Sequence, residues 1–425
     1  MGKVIFSNPH FGELMMDENL RVRKYFPGNF IEGQGRNPNE VISAALENPL
    51  GCRRLSEEVK ASDRVLILID DKSRSTPVRD ILPLVLGELG RAGVPDSAMT
   101  ILIALGTHRA MSREEIIDRV GLDIFERIRT LNHCWDDPES LQHLGKTKAD
   151  TEIWVNKLAV ETDFIIGIGH IVPHRVAGYS GGGKIIQPGI SGPLTTGKTH
   201  WLSAYYTAEE VLGKPNNPIR REIEEVARRV GLKFIVNVVQ DSEGKIAGVF
   251  AGEPVIAHRA GCAFSESIYG VKIPRKADIV IAEAYPTESE LWVATKALQA
   301  ADIVVQPQGV IILLAECPEG ISCSHGHLIE KHGFLPLKKV EELICEGVLE
   351  DLNVSSYLAR VGNVLEKTRT LLVSKGISRE QGEKIGFIVC DDAEAALNKA
   401  LSMTAPDPEI VVLHQGSELL PIITK

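Results

Sequence analysis

Residues 64–77 read RVLILIDDKSRSTP, and their pattern decides the fold class. Arg64 to Asp70 form an apolar run closed by aspartate, too short for a buried helix and bounded by a polar, turn-forming stretch. Such a run is a strand covered on both faces. A helical pattern follows from Val78 to about Ala92, so strand, polar loop and helix come in that order. The unit then recurs. MTILIALGTH (99–108) is a strand ending in a glycine turn and a polar side chain. SREEIIDRVG (112–121) is a helix whose Ser112 and Glu115 are spaced for a capping box. DFIIGIG (163–169) is again a strand running into a polar loop, followed by a helix at about 218–230 and the strand KFIVNVVQ (233–240). This repetition predicts an α/β fold with largely parallel sheets, whose ligands sit beyond the carboxyl ends of the strands. Asp71, Arg74, His108 and His174 all fall just after strands and are expected at one edge.

The chain has 425 residues, more than a single core usually accommodates, so two domains are expected. The apolar pattern breaks near 268–276. The expected division is an N-terminal catalytic and cofactor-binding domain over 1–270 and a second α/β domain over 276–408. The second begins with DIVIAEA (278–284) and continues through VIILLAE (310–316), TLLVSKG (370–376) and IGFIVC (385–390). Residues 409–425, starting with EIVVLHQ, are expected to return and pack on the first domain.

The formal net charge of −10 argues against a nucleic-acid surface, which needs a concentrated basic footprint. The opening MGKVIFSNPHFGELMMDENL has no basic segment leading into an apolar core. No apolar run approaches the roughly 18 residues of a membrane span. The cysteines, seven and scattered, suit reduced thiols better than a disulfide framework. A cytoplasmic protein with neither nucleic-acid nor membrane partner is the expectation.

Chemistry concentrates in GYSGGGKIIQPG (178–189). Glycines at 181, 182 and 183 allow close backbone approaches, their amides could cradle phosphate, and Lys184 adds a cation or nucleophilic amine. The later GPLTTGKT (192–199) nearly matches a P-loop, which keeps a phosphate-binding, nucleotide-binding or NTPase reading open. It follows a proline-punctuated loop, however, rather than a strand. His108, His170, His174 and His200 cluster around the same loops, as imidazoles that can ligate metal or carry protons near neutral pH. Pro173 argues against a zinc-binding helix over His170 and His174. Arg74, beside Asp71 and Ser73, offers paired donors for a carboxylate or phosphate. Lys296 lies in the helix LWVATKALQAA. CPEGISCSHGH (317–327) lacks the spacing of a closed zinc site and reads as buried cysteines in a polar turn. The charged helix around VARRVG and the run KKVEEL read as solvated faces.

Five segments in one order, DKSRSTP (71–77), GTHR (106–109), PHRVAGYSGGGKIIQPGI (173–190), THW around His200 and YPTESELWVATK (285–296), resemble the lactate racemase family of nickel-dependent 2-hydroxy-acid racemases and epimerases. The resemblance covers most of the chain. It implies a nickel-pincer nucleotide, pyridinium-3,5-bisthiocarboxylic acid mononucleotide, joined covalently to Lys184 with His200 as the protein's nickel ligand. Asp71, Ser73, Gly181, Gly182 and Gly183 would complete the cofactor site, and cofactor-biosynthesis proteins would be needed to load it. It further implies His108 and His174 as the acid–base groups, Arg74 as substrate anchor supported by Asp71, and Lys296 as a substrate contact from the second domain. The active site would lie between domains, and the reaction would be reversible hydride transfer from C2 of a small anionic 2-hydroxy acid through a 2-keto acid. Val293 stands where the lactate enzyme has glutamine, Tyr357 is near the family's aromatic wall, Ser75 and Thr76 separate Arg74 from Pro77, and His170 is an added polar group. These departures lead us to expect a substrate larger than lactate.

Overall fold

The structure, a computed structural model, describes residues 2–28, 37–241 and 243–424. The chain forms two compact units. One comprises Phe30–His200 and Gly213–Ile268, the other Met1–Asn29, Trp201–Leu212 and Tyr269–Lys425.

The first unit is built on a six-stranded sheet in the order Ile246–Gly252, Leu232–Gln240, Phe164–His170, Val65–Asp70, Met99–Ala104, Arg129–Asn132. All neighbours are parallel except Ile246–Gly252, which folds back antiparallel on Leu232–Gln240. Every residue of Val65–Asp70 is buried, as its unbroken apolar run requires. Val65, Ile67 and Ile69 face a core with Ile42, Leu46, Ile81 and Val85. Leu66 and Leu68 face a second core with Ile153, Ile185, Ile190 and Val226. The helix Val78–Arg91 and the capping box at Ser112 and Glu115 form as the sequence predicts.

The strand order places a switch point beside Val65–Asp70. From there the chain moves to Met99–Ala104 on one side and later returns to Phe164–His170 on the other. Such a reversal opens a crevice at the carboxyl edge.

The second unit holds a six-stranded, wholly parallel sheet in the order Ile388–Cys390, Arg369–Val373, Val305–Leu314, Ala277–Glu283, Glu409–Leu413, Arg21–Tyr25. The expected domain boundaries need correction at both ends. The second unit also takes Trp201–Leu212, and its long final segment begins at Tyr269. Residues at the N-terminus belong to the second unit: Arg21–Tyr25 is its edge strand, and the hairpin of Gly2–Ile5 with Glu13–Met16 buries Val4, Phe6, Leu14 and Met16 against its sheet. Residues 409–425 likewise stay there, Glu409–Leu413 pairing with Ala277–Glu283 and Leu420–Ile423 with Gly270–Ile273. The sequence hides this because RVRKY is a charged edge strand. Arg21 and Arg23 pair with Glu409, and RVRKY lacks the apolar run of a central strand.

Candidate active site

At the carboxyl edge of the first sheet, the loop after Val65–Asp70 supplies Asp71, Ser73 and Arg74, and the turn after Met99–Ala104 supplies His108. The Asp71 carboxylate is 2.6 Å from His108 Nδ1 and accepts from the Ser73 amide at 3.1 Å and from the Ser73 hydroxyl. Burial alone would raise the Asp71 pKa. The hydrogen bond and charge of His108, the Ser73 hydroxyl and the Arg74 charge outweigh it, and the pKa is lowered to about 2. Asp71 is therefore a carboxylate at any physiological pH, and by accepting from Nδ1 it sets the His108 tautomer whose basic lone pair is on Nε2. The His108 side chain is 48% exposed. Among the described residues the Arg74 guanidinium has no hydrogen bond or ion pair, and its half-buried charge is available to an anion.

His174 follows the strand Phe164–His170 and has the opposite tautomer. Its Nδ1 accepts from the amides of Val176 and Ala177, each at 3.2 Å, which leaves its proton on Nε2. His170 is tied back at the strand end, its Nδ1 2.9 Å from the Thr76 hydroxyl, which also donates to Asp70 at 2.5 Å. This network joins the loops after two neighbouring strands. The Gly106 amide bonds to the Gly189 carbonyl at 2.9 Å and joins the His108 turn to the far end of the glycine-rich loop.

That loop is fixed by packing. Gly182 and Gly183 are buried. The Gly182 amide donates to Asn237 Oδ1 at 2.7 Å, so it is committed to the strand behind it. A Cβ on Gly183 would come within 2.9 Å of the Ala227 Cβ. The glycines thus let the loop lie flat against the sheet and the helix Pro218–Val230, and present Lys184, half-exposed, on the short turn Gly182–Ile185. His200 lies on the helix Pro193–Ser203, where Nδ1 donates to the Thr196 carbonyl at 2.8 Å, putting the imidazole lone pair on Nε2. A backbone bond at one ring nitrogen is how metal-binding histidines are usually oriented.

The near-P-loop GPLTTGKT does not form a phosphate loop. Its residues from Pro193 onward are helical, Lys198 is exposed, and Thr199 is buried with its hydroxyl on the Thr195 carbonyl. Among the described residues, the metal-competent cluster is Glu290, Glu319 and Cys323, which includes none of the predicted histidines. In CPEGISCSHGH, Cys317 is buried but Cys323 is exposed, a partial departure from the expected buried pair.

In the second unit, Lys296 is half-buried on the helix Leu291–Val304, with Val293 one turn before it and Glu418 near enough to feel its charge. Tyr357 is fully buried, its hydroxyl donating to the Leu291 carbonyl at 3.1 Å and its ring 4.1 Å from that of Trp292. It supports an aromatic surface from behind.

Fold and site together define a two-unit α/β protein with a histidine–carboxylate centre at a topological switch point. Comparison with known proteins gives the family. The chain matches the lactate racemase N-terminal domain over residues 19–211 and the lactate racemase C-terminal domain over 273–420. It is 30% identical over 386 residues to the lactate racemase of Thermoanaerobacterium thermosaccharolyticum, covering 90% of each chain. To the lactate racemase of Lactiplantibacillus plantarum it is 32% identical over 387 residues, covering 89% of each. The structure of the T. thermosaccharolyticum lactate racemase apoprotein superposes with a TM-score of 0.85 at 27% identity, covering 99% of both chains. A Thermotoga maritima protein shares the fold, with a TM-score of 0.72 at 21% identity, 93% of this chain and 100% of that one. The chain belongs to the lactate racemase family.

Sequence reasoning missed Asn237, Arg220 and His258, which hold the glycine-rich loop. They sit inside regular elements, and no motif marks them.

Proposed function

We propose that this protein is a nickel-dependent 2-hydroxy-acid racemase or epimerase acting at C2 of a substrate larger than lactate. The observation that carries the reading is the complementary protonation of two histidines at one sheet edge. Asp71 leaves His108 with a lone pair on Nε2, whereas the amides of Val176 and Ala177 leave His174 with a proton there.

The residues present fit the cofactor. Lys184 supplies an amine for a covalent link, and His200 supplies an imidazole lone pair suited to a nickel centre with sulfur donors. When bound, the nickel-pincer nucleotide would supply a hydride acceptor and donor for C2. The protein's own part is proton management and positioning. His108 takes the hydroxyl proton through Nε2, with the Asp71 carboxylate stabilising the imidazolium that results. His174 offers its Nε2–H as a hydrogen bond to substrate oxygen and stays neutral, and the proton given back to that oxygen is the one His108 took. Arg74 holds the carboxylate, with Lys296 as a further cation for substrate. Val293 offers apolar surface on the same helix as Lys296 and lacks the amide of the lactate enzyme's glutamine, which favours a longer side chain. Loading calls for cofactor-making proteins.

Chiral assay of His108→Ala and His174→Ala, with Lys184 loading matched by mass spectrometry, tests the reading. Each variant should lose roughly 100- to 10,000-fold in turnover with its circular dichroism unchanged. Full activity in both loaded variants overturns it.

A further inference from the structure

Arg220 lies on the helix Pro218–Val230, in a charged stretch that reads as a solvated face, yet it is fully buried. Among the described residues its guanidinium hydrogen-bonds backbone carbonyls and no carboxylate, Glu224 acting on it only through charge. Nε donates to Ala177 O at 3.2 Å, Nη1 to Gly181 O at 3.1 Å, and Nη2 to Tyr179 O. The intervening carbonyls are also taken. Gly178 O accepts from the Gly213 amide at 3.0 Å and Ser180 O from His258 Nε2 at 2.9 Å. The whole arc from Ala177 to Gly181 is thus wrapped around a buried cation. Burial of a guanidinium without a paired carboxylate is costly, so a group kept there must be held by its hydrogen bonds.

Both ends of the arc reach the candidate chemistry. Ala177, whose carbonyl accepts from Arg220, donates its own amide to His174 Nδ1 at 3.2 Å. Gly181, whose carbonyl also accepts from Arg220, takes the Lys184 amide at 3.2 Å and so starts the turn that carries Lys184.

We propose that Arg220 is a positioning residue that acts through the Ala177–Gly181 arc to keep His174 protonated on Nε2 and to set the Lys184 turn. The proposal rests on the racemase reading for the role of His174, but the tautomer it fixes is measurable without the cofactor. Lysine at 220 keeps the charge but has no planar fork with which to hold carbonyls at Ala177, Tyr179 and Gly181 together.

The test pairs two measurements on wild type and Arg220→Lys. The first is imidazole nitrogen NMR of histidine-labelled, unloaded protein, with the His174 signal assigned by its loss in His174→Gln. Wild type should show a single Nε2–H tautomer at His174, and Arg220→Lys a mixture. The second is racemisation per adduct-bearing molecule. In Arg220→Lys kcat should fall at least about 10-fold while KM moves less than about 3-fold, as expected when a reacting group is displaced by a fraction of an ångström. An Nδ1–H tautomer in the wild type overturns the proposal even if the variant fails to fold. So does a folded variant that keeps both the tautomer and kcat. Wild type that shows the Nε2–H tautomer but never racemises any 2-hydroxy acid, despite a verified adduct, sinks the functional reading and leaves the tautomer comparison to judge Arg220.

Discussion

Asp71 and His108 sit a hydrogen bond apart, and the carboxylate controls which imidazole nitrogen is basic. Asp71→Asn keeps the size but presents an amide to Nδ1, which favours the wrong tautomer. In protein carrying the Lys184 adduct, kcat should fall by about 100- to 10,000-fold. The substitution also changes the acid stability. Because the folded pKa of Asp71 is lowered from 3.8 to about 2, the ionised group stabilises the fold above pH 3.8. That contribution is lost as pH falls toward 2, and amounts to about 2 kcal/mol. Urea titrations at pH 5 and pH 2.5 should therefore show a steeper loss for wild type than for Asp71→Asn, and equal losses would refute the assignment. At this scale the residues after the strands could be read from the sequence, since Asp71, Arg74, His108 and His174 follow apolar runs that end abruptly. The tautomers could not be read, because they depend on the Val176 and Ala177 amides and on the Asp71 carboxylate, all set by tertiary geometry. Arg220 was hidden for a related reason: in PIRREIEEVARRV a buried arginine looks the same as its exposed neighbours.

Among the elements, the glycine-rich loop shows why its composition is demanding. Gly178 has φ +80°, and a Cβ there would lie 2.1 Å from the Lys214 carbonyl and 2.6 Å from Asn217 Nδ2. Gly178→Ala is expected to cost at least about 2 kcal/mol, from strain and overpacking together. Gly87, exposed within the helix Val78–Arg91, has nothing within 4 Å of an added Cβ. Gly87→Ala should instead add up to about 1 kcal/mol of stability through helix propensity. Denaturant unfolding of both variants checks this, and a harmless Gly178→Ala would mean that the loop is not packed as described. The loop's richness in glycine suggests amides pointed at phosphate. The Gly182 amide is instead spent on Asn237, a partner on a strand more than fifty residues later that local sequence cannot indicate.

For the whole molecule, the central strands and several helices follow from apolar period and capping, because both sheets bury their central strands on two faces. The division into units does not follow, because the second sheet recruits Arg21–Tyr25 from the far end of the chain. Neighbourhood in sequence assigned that segment to the first domain, whereas pairing along Glu409–Leu413 assigns it to the second. The two family domains match over 19–211 and 273–420. On the proposed reading, Lys184 carries a nickel-pincer nucleotide with which a 2-hydroxy acid is racemised. Protein produced together with the cofactor-making proteins should be digested and analysed by mass spectrometry, with nickel measured on the same sample. A sulfur-containing nucleotide adduct is expected on the Lys184 peptide, with nickel in matching amount that is lost in His200→Ala. Nickel without an adduct, or an adduct on another lysine, would contradict it.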